Sequence, residues 1–516
     1  MQFEELLSLF KRRGVLWPSA EIYGGTAGLY DYGPAGTALK RRLEAAWSSW
    51  FVGLSPNYHL IDPAEIVPEA VVRSSGHLAH FADPDVTCGK CGQHFRADTL
   101  LEENGVADVE GLAPEVLGRM LQEKNLPCPR CGERALSLPR AFNLMFGLDF
   151  GAAGKERAYL RPETAQGAYL SFSRMWEVGR NQLPLGIAVI GKAYRNEIAP
   201  RNVLFRMRAF TQAELQIFFD PENFSVPLDE VAGEELPCLR AKDREKGATE
   251  PTPIRAGELV SSGGIPSFYA YHLAMMLRFF RDVLQYPADR VRFLEKNEKE
   301  RAFYNRIHFD AEVRLDSLGG YKELGAVHYR GDYDLSRHGE GSKTDLRVTP
   351  TGGKTVLPHV LELTFGVDRN LWALGDLHLR VETPAAASGG AAEGGQEEKE
   401  PRTVWALPPY LAPMQIAVLP LIRKVHAAKA DEVAERLRRE DGFTVVVPLT
   451  ASVGKRYARE DELATPFAVT IDNQTMQDGT ITLRERDSRA QVRLPLEALA
   501  GRVRSKFVPP RPTFRA

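Results

Sequence analysis

The chain has 516 residues, 43% hydrophobic and 26% charged, a balance that builds folded cores and excludes collagen-like, fibrous and globally disordered chains. At roughly 150 residues per domain it predicts two to four domains, not a lone small binding module. The 66 basic and 68 acidic residues nearly cancel, yet Tyr410 to Ala516 carries 18 Lys and Arg against 13 Asp and Glu, a surplus that suits either phosphate contacts or ordinary surface scatter.

The first residues, MQFEELLSLFKRRG, place Glu4 and Glu5 where signal and transit peptides avoid acids, and no apolar run reaches the roughly 18 residues that span a bilayer. A cytoplasmic protein is expected. Gly33-Pro34-Ala35-Gly36 then feeds a helix over 37–51, where Leu39, Leu43, Ala46, Trp47 and Trp50 recur at helical spacing. Cys88-x2-Cys91 and Cys128-x2-Cys131 form two knuckles. Their spacing fits a tetrahedral four-thiolate zinc site, closed and therefore structural, with four unligated thiols as the alternative.

Residues 185–196 and 209–219 read as strands, the second alternating Phe210, Gln212, Glu214, Gln216 and Phe218 against Ala209, Thr211, Ala213, Leu215 and Ile217. They predict an antiparallel hairpin whose loop, 197–208, far exceeds the usual two to five residues, and such loops usually carry function. Arg195 and Glu197, two apart, are expected on one face, as a plain ion pair or as a grip on a substrate with both charges. With Arg201, Arg206 and Arg208 beside Phe210, the loop offers a phosphate clamp and a stacking platform, or a solvated basic loop. Residues 225–264 are polar and are expected as a surface insertion. LELTFGVDR (361–369) opens onto an apolar helical run, with Gly366 at the turn and Arg369 in the first helical turn, where the helix dipole disfavours a cation unless an anion compensates. Residues 381–402, rich in Ala, Gly, Glu and Pro, are expected as a mobile connector. Beyond it, a helix over 420–440 and strands over 443–449, 467–472 and 479–486 suggest a small α/β unit.

Taken together, Arg195-x-Glu197, the loop, Phe210 and Gly366-x-x-Arg369 resemble motifs 2 and 3 of the class II aminoacyl-tRNA synthetases. YDYGPAGTALK (30–40), LRPETAQGAYLSF (160–172), KELGAVHYRGDYDLSRH (322–338) and SVGKRYAREDELATPFAVTID (452–472) extend the likeness over most of the chain to homodimeric glycyl-tRNA synthetases of the bacterial and eukaryotic type. The resemblance implies an α+β catalytic domain over 1–380, built on a six-stranded antiparallel sheet with flanking helices and carrying insertions at 84–140 and 225–264. A flexible linker (381–402) and an α/β anticodon-binding domain (403–516) would follow. It implies a ligase that activates glycine with ATP and Mg²⁺ and passes the glycyl group to the terminal adenosine of tRNA(Gly). It also implies a homodimer with its interface around Trp47 to Pro68.

By the family pattern Arg195, Glu197 and Arg369 carry catalysis. Arg195 holds the α-phosphate, Glu197 the adenine amino group, Arg206 and Arg369 the outer phosphates, and Phe210 stacks on adenine. Asn196, Phe205, Arg208, Leu324 and Gly366 complete the nucleotide site, with Glu323 toward Mg²⁺. Glu163, Glu362 and Thr364 take the glycine amine, with Arg96, Phe210, Gln212 and Glu214 nearby. Steric exclusion suffices to select the smallest amino acid, so no editing domain is expected. The chain departs from the pattern at Arg208-Ala209-Phe210, where Arg-Glu-Phe is usual, at Glu362-Leu363-Thr364, where Glu-Pro-Ser is usual, and over 300–305. The main rival, a non-catalytic relative such as the synthetase-like accessory subunit of a mitochondrial DNA polymerase, would lose the motif arginines that this chain keeps. A ligase for another small amino acid is the second rival.

Overall fold

The computed structural model describes residues 2–512 apart from 107, 108, 110, 153, 155, 303 and 383–400. Gly33, extended at the N-cap, and Pro34 at the first helical position start α1 (Pro34–Phe51), which buries Leu39, Leu43, Trp47 and Trp50. The chain then builds a sheet from β1 (Tyr58–Ile61), β2 (Leu185–Tyr194), β3 (Ala209–Phe219), β4 (Glu235–Leu239), β5 (Thr252–Arg255), β6 (Val291–Glu295), β7 (Ile307–Leu315), β8 (Gly320–Gly331) and β9 (His359–Gly366). Their order is β5-β4-β6-β7-β8-β9-β3-β2-β1. The run from β6 to β2 is antiparallel throughout, as expected, while β4 joins β6 and β1 joins β2 in parallel.

Strand alternation splits this sheet into two chemistries. Ala213, Leu215 and Ile217 of β3, Leu361, Leu363 and Phe365 of β9, and Phe309 and Val313 of β7 are fully buried in the main core. Helices α2 (Ala165–Val178), α3 (Ser267–Arg278), α4 (Tyr333–Ser342) and α5 (Val367–His378) divide between the faces. Trp47 of α1, Leu273 of α3 and Trp372 of α5 share the main core, whereas Ala168 and Phe172 of α2 and Leu335 of α4 cover the end of the opposite face, against Ile187 and Phe218.

Residues 225–264 are not the surface insertion expected: they supply β4 and β5, which lengthen the sheet, and bury Leu236, Cys238 and Leu259. Flanking charges and Pro237 had masked that alternation. The cysteine-bearing insertion forms a small three-stranded sheet (Ala82–Thr87, His94–Arg96, Arg140–Asn143) with helices Ala97–Glu103 and Pro114–Lys124 around its own core of Val86, Leu101 and Leu117.

The expected connector needs correcting at both ends. Leu379–Glu382 pairs antiparallel with Arg402–Trp405, and Trp405, Leu407 and Leu411 are buried in the main core; the middle of the connector lies outside the described residues. The chain therefore leaves the first core after Leu411, not at 402. Beyond it, β10 (Ile416–Pro420), β11 (Val445–Val446), β12 (Phe467–Ile471), β13 (Thr480–Glu485) and β14 (Gln491–Pro495) form a second sheet in the order β11-β10-β12-β13-β14, covered by α6 (Arg423–Arg439). The strand expected over 443–449 shrinks to two residues. Ion pairs Arg13 to Glu462 and Arg402 to Asp461, with Arg486 bonded to the Leu407 carbonyl, stitch this unit to the first. Among the described residues no helix is long and apolar enough to cross a membrane.

Candidate active site

The polar face of the sheet opens into a cleft of about 470 Å³ between the β2–β3 loop, the cysteine-bearing insertion and the start of α5. β2 ends at Tyr194, so Arg195 and Glu197 stand on the first turn of the loop and not within a strand. The Arg195 amide still bonds the Arg208 carbonyl, and the Glu197 amide turns back to the Arg195 carbonyl. Their side chains do not pair with each other. The Arg195 guanidinium lies between the rings of Phe81 and Phe210, 5.2 and 5.1 Å from their centroids, where ring faces hold a cation. Glu197, 7% exposed, accepts from Arg206 Nε at 2.8 Å. Arg369, in the first turn of α5, donates to the Glu323 carbonyl and carboxylate, both at 3.1 Å. Arg195, Arg206 and Arg369 all line the one cleft, with Phe205, Phe210, Gln212, Glu323, Thr364 and Gly366.

Behind Gln212 and Thr364 of this lining the same sheet face is acidic, although the expected Glu163, Glu214 and Glu362 lie deeper and do not themselves line the cleft. In the antiparallel register Glu214 stands opposite Thr364, and Gln216 opposite Glu362, which in turn faces His328. Glu163, Glu214, Glu362 and Asp334 are all buried. Arg330, also buried, neutralises part of this charge: it forks onto Asp334 at 2.7 and 2.9 Å, reaches Glu362 at 3.2 Å and Glu163 at 4.0 Å, and lies 4.0 Å from the Tyr304 ring centre. Burial alone would raise these carboxyls, but Arg330 and His328 hold Glu362 down to about 2, and His77 and Arg330 hold Glu163 below the usual range. Glu214 differs. It accepts from neutral groups, Thr164 Oγ1 at 2.7 Å and Gln212 Nε2 at 2.9 Å, while burial and then the charges of Glu362 and Glu163 push it up to about 8. Gln212 Oε1 and Thr364 Oγ1 are buried with no partner among the described residues. Two unsatisfied oxygens flanking a carboxyl make a pocket suited to a group that only donates hydrogen bonds.

Three expected site residues lie elsewhere. Leu324 is 1% exposed in the main core, and only its carbonyl is used, by Asn370. Asn196 and Arg208 sit with Ala209 on the other side of the hairpin, lining a separate hollow; both lie outside the strands, where the turn of the loop and not strand alternation sets their direction. Arg208 braces the loop by donating to the Ala27 and Glu197 carbonyls. Arg96 lines the cleft mouth, but Asp83 (2.7 Å) and Asp98 grip it, so it is not a free grip for an amino acid. Phe81, Asp83 and Asp368 also line the cleft, and they, with Arg330 below it, went unread in the sequence; Asp368 and Arg330 lie inside quoted stretches, one beside Arg369 and the other in HYRGDYD, and their charge was the available signal.

In the insertion the Sγ atoms of Cys88, Cys91, Cys128 and Cys131 all lie within 4.8 Å of one another, with Cys88 to Cys131 and Cys91 to Cys128 each at 3.7 Å. Thiolates about 2.3 Å from a tetrahedral ion stand about 3.8 Å apart, so the quartet fits zinc. Gly92 and Gly132 adopt positive φ and return their amides to the carbonyls of Cys88 and Cys128. Backbone amides of Cys91 and Lys90 hold the Cys88 thiol down, whereas Cys131, despite the Glu133 amide, is pushed up by burial and by the neighbouring sulfurs, so four thiols this close cannot all ionise without a cation among them.

This sheet, cleft and appended α/β unit define a class II aminoacyl-tRNA synthetase. Residues 149–233 match the profile of the tRNA synthetase class II core domain (G, H, P, S and T), and residues 415–506 that of the anticodon binding domain. In fold the chain is similar to the prolyl-tRNA synthetase of Cryptosporidium parvum in complex with L-proline and AMP, at a TM-score of 0.54 and 12% identity, covering 97% of this chain and 74% of that one. In sequence it is 36% identical to the glycine–tRNA ligase of Thermococcus gammatolerans over 98% of both chains. It is also 36% identical to that of Aeropyrum pernix over 97% of this chain and 96% of that one, and 34% identical to that of Methanothermobacter thermautotrophicus over 96% and 97%. The chain belongs to the glycine–tRNA ligase family, and it is an aminoacyl-tRNA ligase.

The Arg330 cluster carries a direct prediction. Arg330→Met leaves Glu163, Glu362 and Asp334 buried without their shared cation, and should lower the unfolding free energy of the catalytic unit by about 3–5 kcal/mol in urea titration.

Proposed function

We propose that the cleft forms glycyl-adenylate from glycine and ATP and delivers the glycyl group to tRNA(Gly). The observation that carries the reading is the stacking of opposite charges along one sheet face: guanidinium groups at the mouth, and a buried acid with two unsatisfied oxygens below. ATP is a polyanion with a flat base and glycine a zwitterion with nothing but an ammonium to grip, so the arrangement suits both at once. Phe210 stacks on adenine and Glu197 accepts from its amino group, while Arg195 lies nearest the α-phosphate. As the glycine carboxylate attacks the α-phosphorus, charge grows on the equatorial oxygens and on departing pyrophosphate. Preplaced Arg195, Arg206 and Arg369 meet that charge without reorganising. In the empty cleft Arg206 and Arg369 rest on Glu197 and Glu323, and phosphate displaces those contacts. Glu323, half-exposed at the cleft wall, would help hold Mg²⁺, which shields the triphosphate. The ammonium donates to Glu214, Gln212 Oε1 and Thr364 Oγ1, and the packed floor excludes a Cβ.

We further read the four-cysteine quartet as a structural zinc site, and the protein as a cytoplasmic homodimer of the bacterial and eukaryotic type. The five cysteines form no disulfide, as suits a reducing compartment. The named relatives are archaeal and leave the subtype to this reading. Leu60 on the edge strand β1 and Ile66 shortly after it, both within the expected interface, are exposed apolar side chains available to a second copy.

Exchange of pyrophosphate into ATP tests the reading. It should depend on glycine and respond weakly to alanine or serine. Arg369→Ala should cut it by about a hundredfold or more with the melting temperature nearly unchanged; unaltered exchange refutes the assignment.

The floor adds a pH dependence. Burial and the charges of Glu362 and Glu163 push Glu214 up to about 8, and only its ionised form attracts an ammonium. Deprotonation therefore favours binding, so the KM for glycine should fall as pH rises from 6.5 toward about 8, and Glu214→Gln should flatten that fall. A KM that is flat in the parent contradicts the role given to Glu214.

Metal analysis should find zinc at about one equivalent per chain. Cys128→Ser should lose it and expose residues 82–143 to limited proteolysis, while the sheet core resists. Full protease resistance in a zinc-free variant contradicts a structural metal.

A further inference from the structure

One buried carboxylate beside Arg369 has no part in the chemistry above. Asp368 is the second residue of α5 and is 2% exposed. Its position near a helix N-terminus is mildly favourable through the dipole, but its contacts reach further. One oxygen accepts from the backbone amide of Thr211, and the other from the hydroxyl of Tyr32. Thr211 lies between Phe210 and Gln212, so the amide that Asp368 holds belongs to the strand presenting the stacking ring. The β3–β9 ladder ends at the pair Gln212 and Gly366. Past that pair Asp368 takes over as acceptor, prolonging the attachment of β3 to the segment bearing Arg369. Tyr32, two residues before α1, is half-buried against the main core; desolvation of its hydroxyl and then Asp368 keep it protonated and therefore a donor. Its bond fixes the carboxylate plane, so that three stretches distant in sequence meet at one group.

We infer that Asp368 is a positioning residue for nucleotide binding: by tying the Thr211 amide and the Tyr32 hydroxyl to the start of α5, it sets the separation between the Phe210 ring and the Arg369 guanidinium. The inference rests on the reading that these two residues grip ATP. Glycine's pocket, built on Glu214, Thr364 and Gln212 further along β3 and β9, is held by its own ladder pairs and does not depend on Asp368.

The test is pyrophosphate exchange with the full chain, with KM determined separately for ATP and glycine. Asp368→Asn keeps the shape but presents an amide where one of two donors must bind. It should raise the KM for ATP about tenfold and leave that for glycine within about twofold. Tyr32→Phe leaves the Thr211 contact in place and should raise the KM for ATP about threefold; the double variant should fall short of the product of the two, because Tyr32 acts through Asp368. Equal rises for both substrates, or no rise for ATP in folded protein, overturn the inference. Should Asp368→Asn fail to fold, the Tyr32→Phe split decides alone. Arg369→Ala in the same assay separates the two levels. If it abolishes exchange while Asp368→Asn changes nothing, only the positioning role fails; if it too changes nothing, the reading of the cleft fails.

Discussion

The two-residue period of the antiparallel sheet is the constraint on which the rest of this structure depends. Leu215 and Leu363 point into a core of tryptophans and leucines, which obliges Glu214, Gln216, Glu362 and Thr364 to point the other way. A slip of one residue in β3 or β9 would bury carboxylates among Trp47, Leu273 and Trp372 and expose the core set, a change that costs far more than a domain's net stability. Hydrophobic packing on one face thus sets the register of chemistry on the other, and the polar side chains need not stabilise the fold to be held in place.

The second organising feature is the vertical order of charge. Acids lie deep, where low dielectric strengthens every interaction, and arginines lie at the mouth, partly wet. Arg330 is what lets so many carboxyls share the floor, since each is neutralised, hydrogen-bonded or, like Glu214, pushed toward its neutral form. In the proposed reaction this order has a use: an ammonium completes the charge balance below while a triphosphate completes it above. Without ligands the rim satisfies itself, Arg206 on Glu197 and Arg369 on Glu323, and Arg195 rests between two phenylalanines. These are contacts that phosphate can replace with little cost in ordering, because the side chains are already extended into the cleft.

Much of this was legible in the sequence where local pattern and chemistry coincide. The limits of β3, the helix after Gly33, expected from 37 and found from Pro34, the turn at Gly366 and the cysteine quartet follow from periods, turn residues or ligand spacing. What escaped has physical causes. Strand β4 reads as polar because Glu235 and Pro237 stand on its exposed side. Asn196 and Arg208 were assigned to the cleft by the family pattern, and nothing local in the sequence tells which side of a twisted hairpin a loop residue takes. Asp368 acts through Thr211 and Tyr32, each more than a hundred residues away, and Arg330 gathers Glu163, Tyr304 and Glu362 from three separate stretches; such contacts leave no local signature. The connector's ends pair into a ladder that composition alone cannot reveal.

The most direct test of the account is a crystal structure of the chain with a non-hydrolysable glycyl-adenylate analogue. The account predicts adenine stacked on Phe210, the phosphate mimic within reach of Arg195, and the glycyl ammonium among Glu214, Gln212 and Thr364. An analogue bound with its ammonium toward the arginine rim, or with the base away from Phe210, would contradict it.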